Sequence, residues 1–370
     1  MNDFTAKHTD FKLDRSVYSL SSEDVDFISK RPIRFKDGNF ADYIWGGFNL
    51  YDLKGMPKGK QVAAESWEIS GHKKYPSWIL MPDGREVKLS GLLKNIDFAK
   101  LILGEDVVKK FGQGFPILIK FVDVQQCMSV QVHPTQEVAE ALGESEPGKE
   151  EIFVVLDVYP KAEGVLYVGL KDGVTRKAFE DGITNKENML AYLHKIYLKP
   201  KEAYRIQSGV PHCWTGGALA VEITESSDLT YRMYDFDRNR FMHIEKGLAA
   251  IDFDSKRGRA MEEESRITWQ QMAANGVESI VTHNYIKVER LSAGDSNPVQ
   301  ISSDGTFDAL MGIEGEMEIA SVKKEWLVYL GKGHSLLIPA NAGDYQIRDI
   351  SKVNRSHILR IRMKHSGRGA

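Results

Sequence analysis

The sequence has few cysteines, no long apolar run and no excess of either charge, and these absences exclude several classes of protein. Cys127 and Cys213 are the only cysteines among 370 residues, which predicts two packed thiols and favours a reducing, cytoplasmic compartment. No segment approaches the ~18 apolar residues of a transmembrane helix, and we expect no signal peptide. The formal net charge of −3 provides no basic surface for nucleic acid.

The strand-forming segments that follow Ile33 are short and are separated by glycine and proline turns. Such strands are typical of a mainly β protein built from jelly-roll barrels. Apolar residues change to helical spacing at about 172–198, which predicts a helical insertion. We therefore expect an N-terminal arm over 1–30, a first barrel domain over 31–275 that contains the insertion, and a second barrel domain over 276–370.

Four regions of this part of the chain carry helix signals. The pattern predicts one helix from Asp97 to Phe111, with Asp97 as its N-cap. Thr184-Asn185-Lys186-Glu187 has the form of a capping box, which predicts that a helix begins at Thr184. Further helical runs are predicted over 244–251 and 269–274.

Residues 128–133 predict a strand with one polar and one apolar face. Because alternate side chains of a strand point to the same side, Ser129, Gln131 and His133 share a face, opposite three apolar residues. An apolar back with a polar front suits a strand that packs into a core and lines a site.

Two further segments supply the remaining residues of a candidate metal site. Lys149 and Glu151 share one face of the next predicted strand, and His212 follows a turn. Zinc binds neutral imidazole nitrogen and carboxylate oxygen, as His133, Glu151 and His212 would provide. Manganese and iron accept the same donor atoms, so the ligand types leave the metal open. For each histidine taken alone, the alternative is a hydrogen-bonded core residue.

These segments resemble the signatures of the type I phosphomannose isomerases of the cupin superfamily. The family's QxHP, GK(T/P)E and PxGxxH signatures correspond to Gln131–Pro134, Gly148–Glu151 and Gln207–His212, and its strand followed by SDxxxR corresponds to 219–232. The likeness also includes 45–47, 65–70 and 115–120, and it extends over residues 32–350.

The resemblance implies a zinc-dependent enzyme that interconverts mannose 6-phosphate and fructose 6-phosphate through an enediol. It implies two cupin-type barrels and one Zn²⁺ per chain, and it adds Gln131 to His133, Glu151 and His212 as the fourth ligand. The second barrel, over 276–370, has no histidine at the expected ligand places and is predicted to be metal-free.

Basic residues on the signature strands are candidates for binding the substrate phosphate. Lys120 and Lys149 are predicted to bind the phosphate, and Ser129 could donate a hydrogen bond to it. Lys120 follows an apolar run, where a charge is costly unless it is paired. For Lys120 the alternative is a solvated lysine at a strand end, and for Ser129 an ordinary strand serine.

Four residues are candidates for the chemistry. Arg232 presents a planar, permanently charged group that can stabilise an oxyanion. Glu222, Asp228 and Lys149 are candidates for the base that moves the proton, and the sequence does not choose among them. A structural ion pair between Asp228 and Arg232 is the alternative for these two residues.

The sequence departs from the family pattern at three places. Gly148 occupies the position at which longer family members have a histidine, so a ring-opening role of that histidine must be filled otherwise. Gln207 replaces the usual proline. Glu150 replaces a neutral residue, and we expect its side chain to point away from the site.

Two other functions remain open at this level. Two histidines and a carboxylate also form the ligand set of non-haem iron oxygenases, and a sugar-phosphate sensor could retain the pocket without turnover. The expected partner is a small phosphorylated sugar. We expect no nucleic acid, no membrane and no obligate protein partner.

Overall fold

The computed structural model describes residues 20–160, 162–254, 267–268, 276–282, 285–293, 298–351 and 356–364. The helix predicted over 269–274 and most of the N-terminal arm lie outside these residues. No helix within the described ranges is both long enough and apolar enough to span a bilayer.

The α-helices are short and lie between the strands. Ser21 begins the first of them with a reciprocal capping box, in which Ser21 Oγ accepts from Asp24 N and Asp24 Oδ2 accepts from Ser21 N. The helices of the described residues are α1 Ser22–Lys30, α2 Asn49–Leu53, α3 Leu89–Leu92, α4 Ile96–Leu103, α5 Glu105–Phe111, α6 Gln136–Ala141, α7 Arg176–Thr184 and α8 Ile244–Ala250, with 3-10 turns at Met189–Tyr192 and Ala340–Ala342.

Strands dominate the structure, which confirms the prediction of a mainly β protein. The first part of the chain forms β1 Phe40–Ala41, β2 Glu65–Ser70, β3 Trp78–Leu80, β4 Glu86–Lys88, β5 Ile117–Val124, β6 Val130–Val132, β7 Glu151–Val158, β8 Val165–Leu170, β9 Leu193–Tyr197, β10 Glu202–Ile206, β11 His212–Trp214, β12 Ala218–Glu225, β13 Tyr231–Tyr234 and β14 Ile267–Thr268. The remainder forms β15 Val277–Thr282, β16 Ile286–Leu291, β17 Val299–Ile301, β18 Asp308–Glu314, β19 Glu316–Ser321, β20 Leu327–Gly331, β21 Ser335–Ile338, β22 Tyr345–Asp349 and β23 His357–Met363.

Four sheets stack as layers. A seven-stranded sheet (β1-β2-β5-β12-β7-β10-β14) faces a five-stranded sheet (β13-β6-β11-β8-β9) across one apolar core. A second five-stranded sheet (β15-β16-β23-β18-β21) faces a four-stranded sheet (β17-β22-β19-β20) across another core. A third core packs the seven-stranded sheet against α4, α5 and the second five-stranded sheet. The strands up to Thr268 and those from Val277 thus belong to different sheets, while the exact domain limits remain a prediction.

The central strand β5 is buried on both faces. Ile117, Ile119 and Phe121 pack into the core beneath the sheet, while Lys120 and Val122 point to the opposite side. Such continuous burial explains why the run is apolar with a single lysine, since a buried charge requires partners. The lysine therefore marks the face that carries the site.

The helix predicted over 97–111 is in fact two helices that meet at Gly104. Asn95, not Asp97, caps the first, since its Oδ1 accepts from Asp97 N at 2.9 Å. Gly104 has a φ of +98°, and a Cβ there would lie 2.0 Å from the carbonyl oxygen of Gly305. Close packing against the second half of the chain therefore breaks the helix, which local spacing does not reveal.

The helix predicted to begin at Thr184 ends there instead. Helix α7 begins after Thr175, whose Oγ1 accepts from Ala178 N at 3.1 Å, and a 3-10 turn and strand β9 follow it. The apolar residues at helical spacing after Thr184 thus fill a strand and a turn. Helix α8 agrees with the prediction over 244–251.

Candidate metal centre and cleft

Strand pairing brings the predicted site residues to the gap between the first two sheets. On the seven-stranded sheet, Glu222 of β12 pairs directly with Lys120 of β5. On the facing sheet, Gln131 of β6 pairs with both His212 and Arg232. Because these side chains project from opposing sheets, residues far apart in sequence converge on one cleft.

His133, Glu151 and His212 form a buried cluster at the base of this cleft. Their ligand atoms all lie within 4.8 Å of one another. Glu151 Oε1 lies 3.0 Å from His133 Nε2, and Glu151 Oε2 lies 3.2 Å from His212 Nε2. Within the described residues this is the one group of three such side chains with this geometry.

Backbone carbonyls orient both imidazoles. His133 Nδ1 lies 2.7 Å from the carbonyl of Leu229, and His212 Nδ1 lies 3.0 Å from that of Val210. A carbonyl oxygen only accepts, so each Nδ1 donates and a neutral ring presents the Nε2 lone pair to the cluster. Burial lowers the pKa of His133, which favours the neutral ring.

This donor set fits a divalent metal. Two imidazole lone pairs and a carboxylate face one another, and among the described residues His133 Nε2 and Glu151 Oε2 have no hydrogen-bond partner. Buried acceptors without donors are costly, and a cation among them removes the cost. Burial opposes ionisation of Glu151, but the Lys149 ammonium, whose Nζ lies 2.8 Å from Glu151 Oε1, holds its pKa below the usual range.

Gln131 lies beside the cluster in a position to complete the ligand set. Its Nε2 is 3.3 Å from His212 Nε2, and its Oε1 accepts from Ser129 Oγ at 3.2 Å. Ligation would require the amide oxygen to face the metal, with the amide turned about its terminal bond. Ser129 is buried, and its contact with Gln131 suits an orienting role as well as the predicted contact with phosphate.

Two lysines and two glutamates form the rest of the floor. Lys120 Nζ lies 3.2 Å from Glu222 Oε1 and 3.4 Å from Glu65 Oε2. Lys149 Nζ lies 2.8 Å from Glu151 Oε1 and 3.6 Å from Glu222 Oε1. Lys120 is therefore an ion-paired residue of the floor, and the alternative of a solvated lysine at a strand end is wrong.

Arg232 and Asp228 lie nearer the mouth of the cleft. Arg232 Nη1 donates to the carbonyl of Phe241 at 2.8 Å, while its buried Nε has no hydrogen-bond partner in the part of the chain that the structure describes. Asp228 Oδ2 instead pairs with Lys74 Nζ at 2.7 Å. Among the described contacts, the carboxylate's ion pair is thus with Lys74 and not with Arg232.

Several residues that line the cleft carry no candidate role in the sequence analysis. The segments 45–47 and 65–70 were marked only by family likeness, and the alternation in β2 could have indicated that Glu65 and Trp67 share a face. No sequence signal marks the remaining residues. The lining residues without a predicted role are Tyr43, Trp45, Glu65, Lys74, Met128, Phe153, Thr230 and Arg240.

The departures from the family pattern have local explanations. A Cβ at Gly148 would lie 2.5 Å from the backbone nitrogen of Gln136, so a histidine does not fit this backbone. Glu150 points away from the metal cluster, as expected, and forms an ion pair with Arg205. His72 contacts Glu146 Oε1 at 3.1 Å and lies outside the metal cluster.

Architecture and site together define a β-sandwich protein with a buried His–Glu–His cluster whose donor set fits a divalent metal. Residues 35–151 match the family "Phosphomannose isomerase type I, catalytic domain". Mannose-6-phosphate isomerase ManA of Bacillus subtilis (strain 168) is 27% identical over 344 residues, which cover 90% of this chain and 100% of the relative. The "Probable mannose-6-phosphate isomerase GmuF" of the same organism is 30% identical over 223 residues, which cover 59% of this chain and 67% of the relative.

The chain belongs to the type I phosphomannose isomerase family. The crystal structure of the mannose 6-phosphate isomerase from Bacillus subtilis has the same fold, with a TM-score of 0.73 at 24% identity. The alignment covers 89% of this chain and 99% of that structure. The prediction of a cupin-type fold is thereby confirmed.

Proposed function

We propose that this protein is a metal-dependent isomerase that interconverts mannose 6-phosphate and fructose 6-phosphate. The observation that carries the proposal is the convergence of His133 Nε2, His212 Nε2 and the Glu151 carboxylate at the base of an open cleft. Family membership supports the substrate, and the nitrogen and oxygen donors suit one zinc ion per chain, with Gln131 as the fourth ligand.

The proposed reaction moves a proton from C2 to C1 through an enediol, while a second proton passes from O2 to O1. A bound divalent metal supplies Lewis-acid stabilisation of the charge that develops on these oxygens. Arg232 would donate to the same charge, because its side chain lines the cleft and its buried Nε has no hydrogen-bond partner among the described residues. Its half-buried guanidinium is suited to this, since low local dielectric strengthens a charged hydrogen bond.

The proton between C2 and C1 requires a base at the cleft. Lys149 lies between Glu151 and Glu222, and these carboxylates stabilise its positive charge, so it suits a cationic role better than that of a base. Glu222 and Asp228 remain the two candidates: Glu222 is buried at the floor, whereas Asp228 is partly accessible near the mouth. The exchange of the C2 proton with solvent, measured in Glu222→Gln and Asp228→Asn, distinguishes them.

Lys120 and Ser129 act in this proposal chiefly by positioning. Lys120 pairs with Glu65 and Glu222 on the floor of the cleft, and its Nζ lies 4.6 Å from the centre of the Trp67 ring. Ser129 orients the amide of Gln131. A direct phosphate contact by either residue would require these pairs to rearrange.

We also propose a cytoplasmic location and a small phosphorylated sugar as the partner. The two cysteines are free thiols, Cys213 buried and Cys127 half-buried, and a reducing compartment suits both.

The test is isomerase activity on mannose 6-phosphate before chelation, after EDTA treatment, and after zinc is restored. We expect fructose 6-phosphate to form, activity to disappear with EDTA, and zinc to restore it. A folded, metal-loaded protein that binds the phosphorylated sugar without turnover would contradict the proposal and favour a sensor. Oxygen consumption with Fe(II) would favour an oxygenase.

A further inference from the structure

One lysine at the mouth of the cleft belongs to none of the family signatures. Lys74 lies in the loop between β2 and β3, and its side chain is 43% exposed. Its Nζ donates to Asp228 Oδ2 and to Tyr43 Oη, both at 2.7 Å. An ammonium group has three donors, so among the described contacts one N–H of Lys74 remains for a ligand in the cleft.

The other two lysines of the cleft are already bound by carboxylates. Lys120 is paired with Glu65 and Glu222, and Lys149 with Glu151 and Glu222, and both ammonium groups are buried. Three carboxylates on the floor thus face two ammonium groups. A dianionic phosphate placed there would have to compete with these carboxylates for both ammonium groups.

Buried contacts hold the loop of Lys74 in position. The His72 ring packs at a tilt against Trp67, with ring centroids 5.6 Å apart, and His72 Nδ1 accepts from Lys74 N at 3.3 Å. His72 Nε2 therefore donates to Glu146 Oε1 at 3.1 Å, and Glu146 Oε2 accepts from the backbone nitrogen of Asp228 at 2.8 Å. Glu146 thus ties the Lys74 loop to the loop that leads to Arg232.

The chemistry of the substrate also separates its two ends. C1 and C2 react beside the metal ligands, whereas the phosphate is attached to C6, four carbons beyond C2. A substrate with its carbonyl end at the floor therefore extends its phosphate toward the mouth, where Lys74 lies.

We propose that Lys74 binds the phosphate group of the substrate at the mouth of the cleft and so selects phosphorylated over unphosphorylated sugars. This inference rests on the proposed function. The ammonium donates to a phosphate oxygen with the N–H that Asp228 and Tyr43 leave, and Asp228 and Tyr43 keep the side chain aimed across the mouth.

The test compares Lys74→Gln, Lys74→Arg and the matched control Lys73→Gln in the zinc-loaded protein. The Lys73 side chain is 77% exposed, and its Nζ lies 3.7 Å from Glu146 Oε1. We expect Lys74→Gln to raise the KM for mannose 6-phosphate about ten-fold or more, because one charged hydrogen bond to the phosphate is lost. The kcat should change less than about two-fold. Lys74→Arg should recover most of the affinity, and Lys73→Gln should leave both constants unchanged.

Calorimetric binding of mannitol 6-phosphate and of mannitol separates this inference from the proposed function, because neither compound can isomerise. Lys74→Gln should weaken mannitol 6-phosphate binding about ten-fold and leave mannitol unaffected, even if the wild-type protein does not turn over mannose 6-phosphate. Unchanged mannitol 6-phosphate binding would overturn the inference. A fall in kcat without a change in KM or in binding would also overturn it, since Lys74 would then act only by positioning Asp228.

Discussion

Each half of the molecule contains a cluster of buried charges, and the two clusters are balanced differently. In the second half, Arg360 contacts Glu289 Oε2 at 3.1 Å and Asp308 Oδ2 at 2.9 Å, and Tyr345 Oη donates to Asp308 at 2.7 Å. In the first half, the Glu151 carboxylate faces two imidazole lone pairs beside an open cleft.

The supply of hydrogen-bond donors to the buried carboxylates distinguishes the structural cluster from the candidate functional one. Burial is similar in the two, but in the second half a guanidinium and a phenol supply donors to the carboxylates. In the first half, Lys149 donates to Glu151 Oε1, but His133 Nε2 and Glu151 Oε2 have no hydrogen-bond partner within the described residues, which is unfavourable until a cation is added. An excess of acceptors at a cleft therefore identifies the site better than buried charge alone.

The largest effect should follow from removing a metal ligand. We expect His133→Ala or Glu151→Ala to lose the bound metal on dialysis and to reduce activity by more than about 100-fold, since even outer-shell partners cost 10–100-fold. Metal content measured by elemental analysis checks this. The control His334→Ala, a half-exposed histidine at the junction with the second half, should keep its metal. Full metal content in both ligand variants would refute the assignment.

The matched change in the second half should affect stability and not metal binding. Arg360→Met leaves Asp308 buried without its cation, while Glu289 keeps its pair with Lys287, and breaking such a buried pair costs about 3–5 kcal/mol of unfolding free energy. Urea unfolding measures this, with Arg348→Met as control, because the Arg348–Glu318 pair is half-exposed and should contribute less than about 1 kcal/mol. Loss of metal from a folded Arg360→Met protein would contradict the conclusion that the second cluster affects stability alone.

A smaller effect, on turnover alone, is expected at Arg232. Arg232→Ala removes a donor to the developing oxyanion, so kcat should fall by roughly 100-fold with metal content unchanged. Steady-state kinetics check this against Arg85→Ala, which alters an ion pair with Asp24 that is remote from the cleft. An unchanged kcat would remove Arg232 from the chemistry.

The smallest effect concerns a hydrogen-bonded carboxylate of the second half. Burial opposes ionisation of Asp349, but hydrogen bonds from Ser351 and Ser356 hold its pKa below the usual 3.8. Because its folded-state pKa is depressed, its contribution is present above pH 3.8 and is lost as the pH falls through the folded-state value. Asp349→Asn should lower stability by about 1 kcal/mol at pH 7, with the deficit shrinking below pH 3.8.

Urea unfolding across this pH range measures the effect. Asp52→Asn, at an exposed ion pair with Lys58, should show no comparable pH dependence. A deficit that persists in acid would mean that packing and not charge stabilises the Asp349 turn.

Local periodicity was sufficient to assign much of the candidate site to its strand faces. The period of two placed Ser129, Gln131 and His133 together, and it turned Glu222 away from the apolar side of β12. Helix ends were less predictable. The helix is interrupted at Gly104 because the Gly305 carbonyl approaches it closely. This contact joins residues far apart in sequence, so local sequence patterns do not predict it.

Local sequence was enough to predict which polar side chains point away from the apolar face of each strand, because the alternation of side-chain direction depends on only a few consecutive residues. Only the tertiary structure decided their partners: Glu151 between two histidines, Lys120 between two glutamates, and Lys74 with Asp228, 154 residues away. Such pairs depend on sheet register and on the stacking of two sheets, which are set by long-range packing. The balance of donors and acceptors that defines the site therefore exists only in the folded chain.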